Sequence, residues 1–437
     1  MPSHPPVLTS ESTLAAARPE QDIQNYDDKA NLQHLAGKPV DRGRDAWIVT
    51  FGTWWALFIA FGWTNSLGVL QNYYEKELLR DYSTSTVAWI ASTQIFMMYG
   101  GGIVFGNMFD SYGPRWLIYI GGFAHVFGLM MVSISKNYYQ IFLSQAICSG
   151  LGASAIYYAC IGSLASWFQA KRATAFGLAA SGGSVGGVIF PVMVDRLIDQ
   201  AGFGWTMRAV GFIVLGGLVI VIFTVKSRLT HTPKPVRVRH YIKPFTELQF
   251  LMLVISLSLF SFGLFLPFNF ITAQAQTLGM SSTMANYLVA IINATSVLGR
   301  IVPGMVADRV GRFNVMSVAT LVSGILTFAL WLPGRSNVAV ILYAVFFGFF
   351  SGAYVSLTPA LVAQLSPIQE IGIRTGALYF FVSIAVLTGS PIAGALVSVD
   401  QGRYDYLEIF AGATMCAGAV LLILTRVVKA GFKWEVL

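Results

Sequence analysis

NATSVLGRIVPGMVADRVGR, residues 293–312, is the stretch that decides how the chain is read. Its first half is apolar and small enough to lie inside a membrane helix, yet Arg300 stands near its middle. A cation at that depth costs roughly 2.5–3.5 kcal/mol on insertion scales, so a chain rarely keeps one without a use. The second half runs into a charged turn, Gly304-Met-Val-Ala-Asp308-Arg309-Val-Gly311-Arg312. That turn has a twin 198 residues earlier, Gly106-Asn-Met-Phe-Asp110-Ser-Tyr-Gly113-Pro114-Arg115. Gly, Asp and Gly recur at the same offsets, so the chain is built from two similar halves.

Composition points the same way. Of 437 residues, 55% are hydrophobic and 11% charged, where soluble domains carry about 25% charged residues. So much apolar surface cannot be hidden inside a soluble fold, and the acids fall largely outside the long apolar runs. This is the pattern of an all-α polytopic membrane protein. The net charge of +8 does not imply nucleic acid as a partner, because the basic residues sit in loops. The expected partners are the lipid bilayer and a small-molecule substrate. Cys148, Cys160 and Cys416 lie within apolar runs, so neither a disulfide nor a metal site is expected.

Residues 1–45 are polar, contain Pro2, Pro5, Pro6, Pro19 and Pro39, and show no apolar periodicity, so a disordered tail is expected. No cleavable signal pattern precedes the first apolar run, which then acts as its own insertion signal. Twelve apolar stretches follow, each near the ~20 residues that cross a bilayer core. They fall at about 47–70, 86–108, 116–135, 138–164, 173–197, 205–226, 248–272, 283–307, 313–333, 337–362, 371–398 and 404–427. The polar stretch between the sixes contains Pro233, Pro235 and Pro244. The expected organisation is a tail at 1–45, a six-helix half at 46–226, a linker at 227–247, a second half at 248–427 and a tail at 428–437. With both termini in the cytoplasm, the inward segments hold 20 of the 28 Lys and Arg, which fits the positive-inside rule.

The repeat continues inside the helices: Gly150 answers Gly348 and Gly177 answers Gly376. Two parallel six-helix repeats around a midplane cavity is the architecture of major facilitator transporters. The twin turns resemble that superfamily's signature between spans 2 and 3 and between spans 8 and 9. The chain after residue 45 also resembles the monocarboxylate porter family, in its fungal branch. Gly62-Trp-Thr-Asn65-Ser-Leu-Gly68-Val69, Trp167-Phe-Gln-Ala-Lys171-Arg172, Gly177-Leu-Ala-Ala-Ser181-Gly-Gly-Ser184 and the Arg300 helix carry that resemblance. It implies a transporter moving a monocarboxylate-like organic anion or carboxylate-bearing metabolite, with protons as a possible coupling ion. The sequence also departs from the family. Span 1 has no lysine, and Ser296 stands where mammalian members have an aspartate. Since both charges belong to proton–lactate coupling in the family, simple lactate–proton symport is not expected.

Within this frame the residues divide into two sets. Gly106, Asp110, Gly113, Arg115 and Gly304, Asp308, Gly311, Arg312 are expected to latch the two halves, each acid meeting a helix end and a nearby arginine. The competing reading is a set of solvated turn charges. Arg300 is the expected anion contact, since a guanidinium can grip a carboxylate with two hydrogen bonds at any accessible pH. Its competing role is a structural pairing close to the end of span 8. Asn293, two turns along the same face, Asn65, Asn269, Tyr157 and Tyr354 are weaker candidates for lining the site, because buried amides and phenols often only bridge helices.

Other features read as structure. Ser181–Gly187 has no preceding strand and no Lys-Ser ending, so it suits close helix packing rather than phosphate binding. His125 is expected to be packed, and Glu370 and Arg374 form a helix pair. No acid lies in the middle third of any span, and Asp195 comes closest. No nucleophile–base pair appears either, so no enzyme and no cofactor is expected. Import, efflux of a secondary metabolite, carriage of an uncharged or vitamin-like solute, and nutrient sensing remain open from the sequence.

Overall fold

The computed structural model describes Asp41, residues 43–233 and residues 238–431. Residues 1–40 and 42 of the tail expected at 1–45, residues 234–237 of the linker, and residues 432–437 lie outside the described residues. Among those described there is helix and turn but no strand.

Among the described residues, eleven helical runs are long and apolar enough to cross a membrane. They are α1 (Arg44–Leu78), α2 (Thr84–Tyr112), α3 (Pro114–Val132), α4 (Tyr138–Trp167), a run Arg172–Thr224, α7 (Leu248–Thr277), α8 (Ser282–Val310), α9 (Arg312–Trp331), α10 (Asn337–Leu365), α11 (Ile368–Val399) and α12 (Asp405–Lys429). The 53 residues of Arg172–Thr224 would measure about 80 Å as one helix, more than twice a ~30 Å hydrocarbon core. The run breaks at Gly202, whose φ of 78° and ψ of 162° suit glycine and little else. The break gives α5 (172–201) and α6 (203–224), and hence twelve crossings. This is a multi-pass membrane protein of the twelve-helix type.

Three details differ from the expected boundaries. α1 starts at Arg44, and Asp41 is already anchored, its carboxylate accepting from the backbone N–H groups of Gln169, Ala170 and Lys171 at 2.8–2.9 Å. α1 also runs on to Leu78, past the drawn end at 70, because Glu75, Lys76 and Glu77 extend the helix while ending the apolar run. Residues 428–430, read as tail, still belong to the last helix, which ends at Ala430.

Two of the helices are broken at matching places. α1 is interrupted at Ser66 (φ −82°, ψ −5°) and α7 at Phe265 (φ −85°, ψ −10°), 199 residues apart. Pro267 follows the second break and has no N–H to give. Beyond each break an outer arm continues, Leu67–Leu78 in α1 and Leu266–Thr277 in α7. Trp116, Phe123, Phe212 and Phe223 are exposed on the outside of the bundle, where lipid replaces water as the solvent.

The first six helices meet the last six along two seams, α5 against α8 and α2 against α11. The seams are close because they are lined with glycine. A Cβ on Gly106 would collide with the carbonyl oxygen of Gly372, and one on Gly304 with that of Ala173. The end of the bundle where α1 begins is called the near face here, and the opposite end the far face.

Candidate functional site

At the near face each twin turn meets a helix of the other half. Asp110 accepts hydrogen bonds from the backbone N–H groups of Gly372 and Ile373 at 2.9 and 2.8 Å. Asp308 accepts from those of Ala173 and Thr174 at 3.0 and 2.8 Å. Each acid thus caps the first turn of a helix from the other half, where unpaired N–H groups and the helix dipole favour an anion. Gly113 (φ 76°) and Gly311 (φ 106°) end α2 and α8 in the left-handed region. Arg312 bonds Asp308 at 3.2 Å and the carbonyl of Gln169 at 2.7 Å, bracing the second latch. Arg115 corrects the expected symmetry: it is exposed and makes no ion pair among the described residues. Pro114 occupies the place of Arg312, which pushes the arginine one residue further round the helix and away from Asp110.

The same face carries a third ionic group. Arg374, nearly fully buried, holds the carboxylate of Glu247 with two bonds of 2.7 Å and that of Glu370 at 3.1 Å. The pair foreseen with Glu370 is therefore a trio that ties the linker to α11. Hydrogen bonding from Arg374, against a smaller opposing effect of burial, holds the Glu247 carboxyl below its ordinary value. At Asp41 burial works against the charge, but the three backbone donors outweigh it and keep that carboxyl low too.

Arg300 lies deeper, on the α5–α8 seam, and is 7% exposed. Its Nη1 donates to the carbonyl of Ala180 at 2.6 Å, and its Nε has no partner. Gly183 leaves the guanidinium its space, since a Cβ there would stand 3.0 Å from Nη1. A void of about 10 Å³, room for roughly one water, adjoins it, lined by Leu57, Phe61, Tyr157, Phe176, Arg300 and Val355 among others. Tyr157 belongs to a ring cluster, 5.6 Å from Phe61 and 5.8 Å from Tyr379, while Tyr99 stacks on Tyr379 at 5.3 Å.

The remaining candidates part company. Asn293 and Asn65 meet, Nδ2 of the first donating to Oδ1 of the second at 3.3 Å, and Ser184 and Ser296 meet at 2.7 Å just below them. Tyr354 turns its hydroxyl to Ser261 at 2.6 Å, inside the second half. Asn269 is exposed and donates to Ser390 at 2.8 Å, on the far side of the α7 break. Among the described residues, the hydrogen bonds between the halves run from the near face up to Asn65–Asn293 and stop there. The halves are thus hydrogen-bonded from the near face to mid-depth, and above that level α2 and α11 meet by packing alone among the described residues.

Two sets of residues escaped the sequence reading. Tyr99 and Tyr379 lie on α2 and α11, and nothing in their local sequence distinguishes them from packing aromatics. Glu408, in the first turn of α12, is 0% exposed. It falls inside the apolar stretch drawn at 404–427 but outside its middle third, and its place in the sequence assigned it no role. The glycines of Ser181–Gly187 pack against α1 as expected, and His125 is fully buried with Nδ1 against Ser149.

The chain matches the Major Facilitator Superfamily twice, over residues 46–272 and 250–435. It is 47% identical to the MFS transporter asaE of Aspergillus flavus over 397 residues, 90% of each chain. It is 41% identical over 411 residues to the fujikurins efflux protein of Gibberella fujikuroi, covering 94% of this chain and 88% of the other. Among solved structures it resembles the human organic anion transporter MFSD10, with a TM-score of 0.71 at 16% identity, over 87% of this chain and 100% of that one.

Proposed function

The chain belongs to the Major Facilitator Superfamily, and from that premise we propose that this transporter exports a carboxylate-bearing secondary metabolite. We place it in the plasma membrane with both termini and the near face in the cytoplasm, and near the fungal monocarboxylate porters on the strength of Trp167–Arg172 and Gly177–Ser184. Two six-helix halves, 46–226 and 248–427, rock about the α2–α11 and α5–α8 seams. Asp110 and Asp308, with their glycines, close the cytoplasmic end. Protons are the proposed coupling ion.

One observation carries this reading: the bond from Arg300 to the Ala180 carbonyl crosses between the halves. When the near face opens, that bond parts, and a desolvated guanidinium is left facing the cavity with Tyr157 beside it. A cargo carboxylate satisfies it, since a charge-assisted pair is worth more than a bond to a neutral carbonyl. When the near face closes, Ala180 returns to compete for the same donor and the cargo is released outward. Asn65 and Asn293 mark the upper limit of the closed region. Asn269 belongs to the exit path, and Tyr354 shapes the second half without touching the anion. The name of the efflux relative from Gibberella fujikuroi supports the direction of transport.

The test is efflux of labelled carboxylates and of their methyl esters from transporter-poor cells, comparing wild type with Arg300→Ala at matched surface expression. Loss of acid efflux in the variant, with esters poor substrates of wild type, is the expected result. Undiminished acid efflux, or equal transport of esters, would make Arg300 a strut and favour an uncharged cargo.

A further inference from the structure

Glu408 is a fully buried acid that lies away from the Arg300 cavity, near the far face. Its Oε1 accepts from Gln274 Nε2 at 2.8 Å, and its Oε2 has no hydrogen-bond partner. Gln274 is itself fixed: its Oε1 accepts from Trp331 Nε1 at 3.1 Å. An indole N–H can only donate, so the amide must turn its oxygen to Trp331 and its NH2 to Glu408. The charged neighbours are occupied elsewhere. Arg335 pairs with Asp405 at 2.6 Å and Asp400 with Arg403 at 2.9 Å, and the nearby Tyr343 hydroxyl meets Thr327 at 3.2 Å. None of them hydrogen-bonds Glu408. An ionised carboxylate here would be a buried charge supported by one neutral amide, an arrangement that costs heavily.

We propose that Glu408 is a proton-binding site, filled from the far face, and that its proton decides whether the outer arm of α7, which packs mainly on α8, keeps Gln274 docked on Trp331 of α9 and Glu408 of α12. A proton on Oε2 removes the charge and lets the arm close over Trp331 and Glu408. Loss of the proton leaves a charge that only water can satisfy, and water enters when the arm lifts at the Phe265–Pro267 break. The first half supplies the contrast. Its matching arm is held by Tyr74, whose hydroxyl donates to Gln145 Oε1 at 2.6 Å, a pair with no acid in it. The proposed proton-sensitive tie is therefore a feature of the second arm and not of the Tyr74–Gln145 tie. This inference rests on the transport reading but is independent of the cargo's charge.

The experiment uses purified full-length protein in liposomes, as wild type and Glu408→Gln, the neutral isostere. Infrared difference spectra across a pH titration, with no cargo present, should show a protonated-carboxyl C=O stretch that Glu408→Gln lacks. Cargo flux in the variant should lose its response to an imposed proton gradient. Gln274→Met, which keeps the acid but removes its one donor, should shift the pH at which the band appears. A carboxyl band still titrating unchanged in Glu408→Gln, or flux still following the gradient, overturns the assignment. Failure of the anion reading would appear instead as ester transport equal to acid transport, with the infrared titration intact.

Discussion

Asp110 and Asp308 stand 198 residues apart and make the same contact in opposite senses: each carboxylate takes two successive backbone N–H groups from a helix of the other half. Their bonds are 2.8–3.0 Å long and aimed at the first turns of α11 and α5. The two seams are thus closed by one device used twice.

Neutralising either acid should loosen the near face. Hydrogen bonds to a charged group contribute about 1.5–3 kcal/mol each, and roughly 1.4 kcal/mol is a tenfold change in an equilibrium. Asp308→Asn or Asp110→Asn is expected to raise the near-open population by about tenfold or more. In a background lacking Cys148, Cys160 and Cys416, a cysteine at Ile161, beside the Arg300 void, should be labelled faster from the near face. Unchanged labelling would show that the latches do not hold the seam.

Arg312 and Arg115 should behave differently despite their matching motifs. Arg312→Ala removes a brace on Asp308 and should raise the same labelling rate, though less than Asp308→Asn. Arg115→Ala touches no ion pair among the described residues and should leave it within twofold, roughly the ±0.5 kcal/mol of an ordinary surface change. Equal effects would refute the asymmetry.

The α2–α11 seam should not tolerate even a methyl group. Gly106→Ala places a Cβ against the Gly372 carbonyl, and Gly376→Ala places one against the Gly102 carbonyl. Both should slow transport by holding the halves apart, with little loss of thermal stability, because each half keeps its own packing. A large fall in melting temperature with normal flux per folded molecule would count against this view.

Acid should release the linker from α11. Glu247 is held below its ordinary 4.5 by Arg374, so the stability it contributes is fully present above that value. It is lost as pH falls through the lower folded value. At neutral pH, Glu247→Gln should melt below wild type in detergent, and the difference should shrink as the pH drops into the acidic range. A gap that widens in acid would reverse the sign and exclude the pair as its cause.

How much of this was legible in the sequence depended on whether the signal was repeated. The twin turns were, because Gly, Asp and Gly recur at fixed offsets and the chemistry of a helix end requires an acid there. Arg300 was, because a lone cation in an apolar run is expensive. Its bond to Ala180 was not legible, since a backbone carbonyl has no sequence signature. Arg115 was misread because one inserted proline rotates it off its partner, a shift that motif spacing hides. Glu408 was hidden for a related reason. At the first turn of a helix an acid is equally at home in water or turned inward, and only the packing of α7 and α9 decides which.

The breaks at Ser66 and Phe265 lie at the same register of the two halves. A bend shared in this way gives each six-helix unit an equivalent hinge at the same depth. What separates the two units is the tie on their outer arms, a phenol–amide pair in one and a carboxyl in the other. Two like hinges therefore carry unlike fastenings, and a change in acidity reaches one of them.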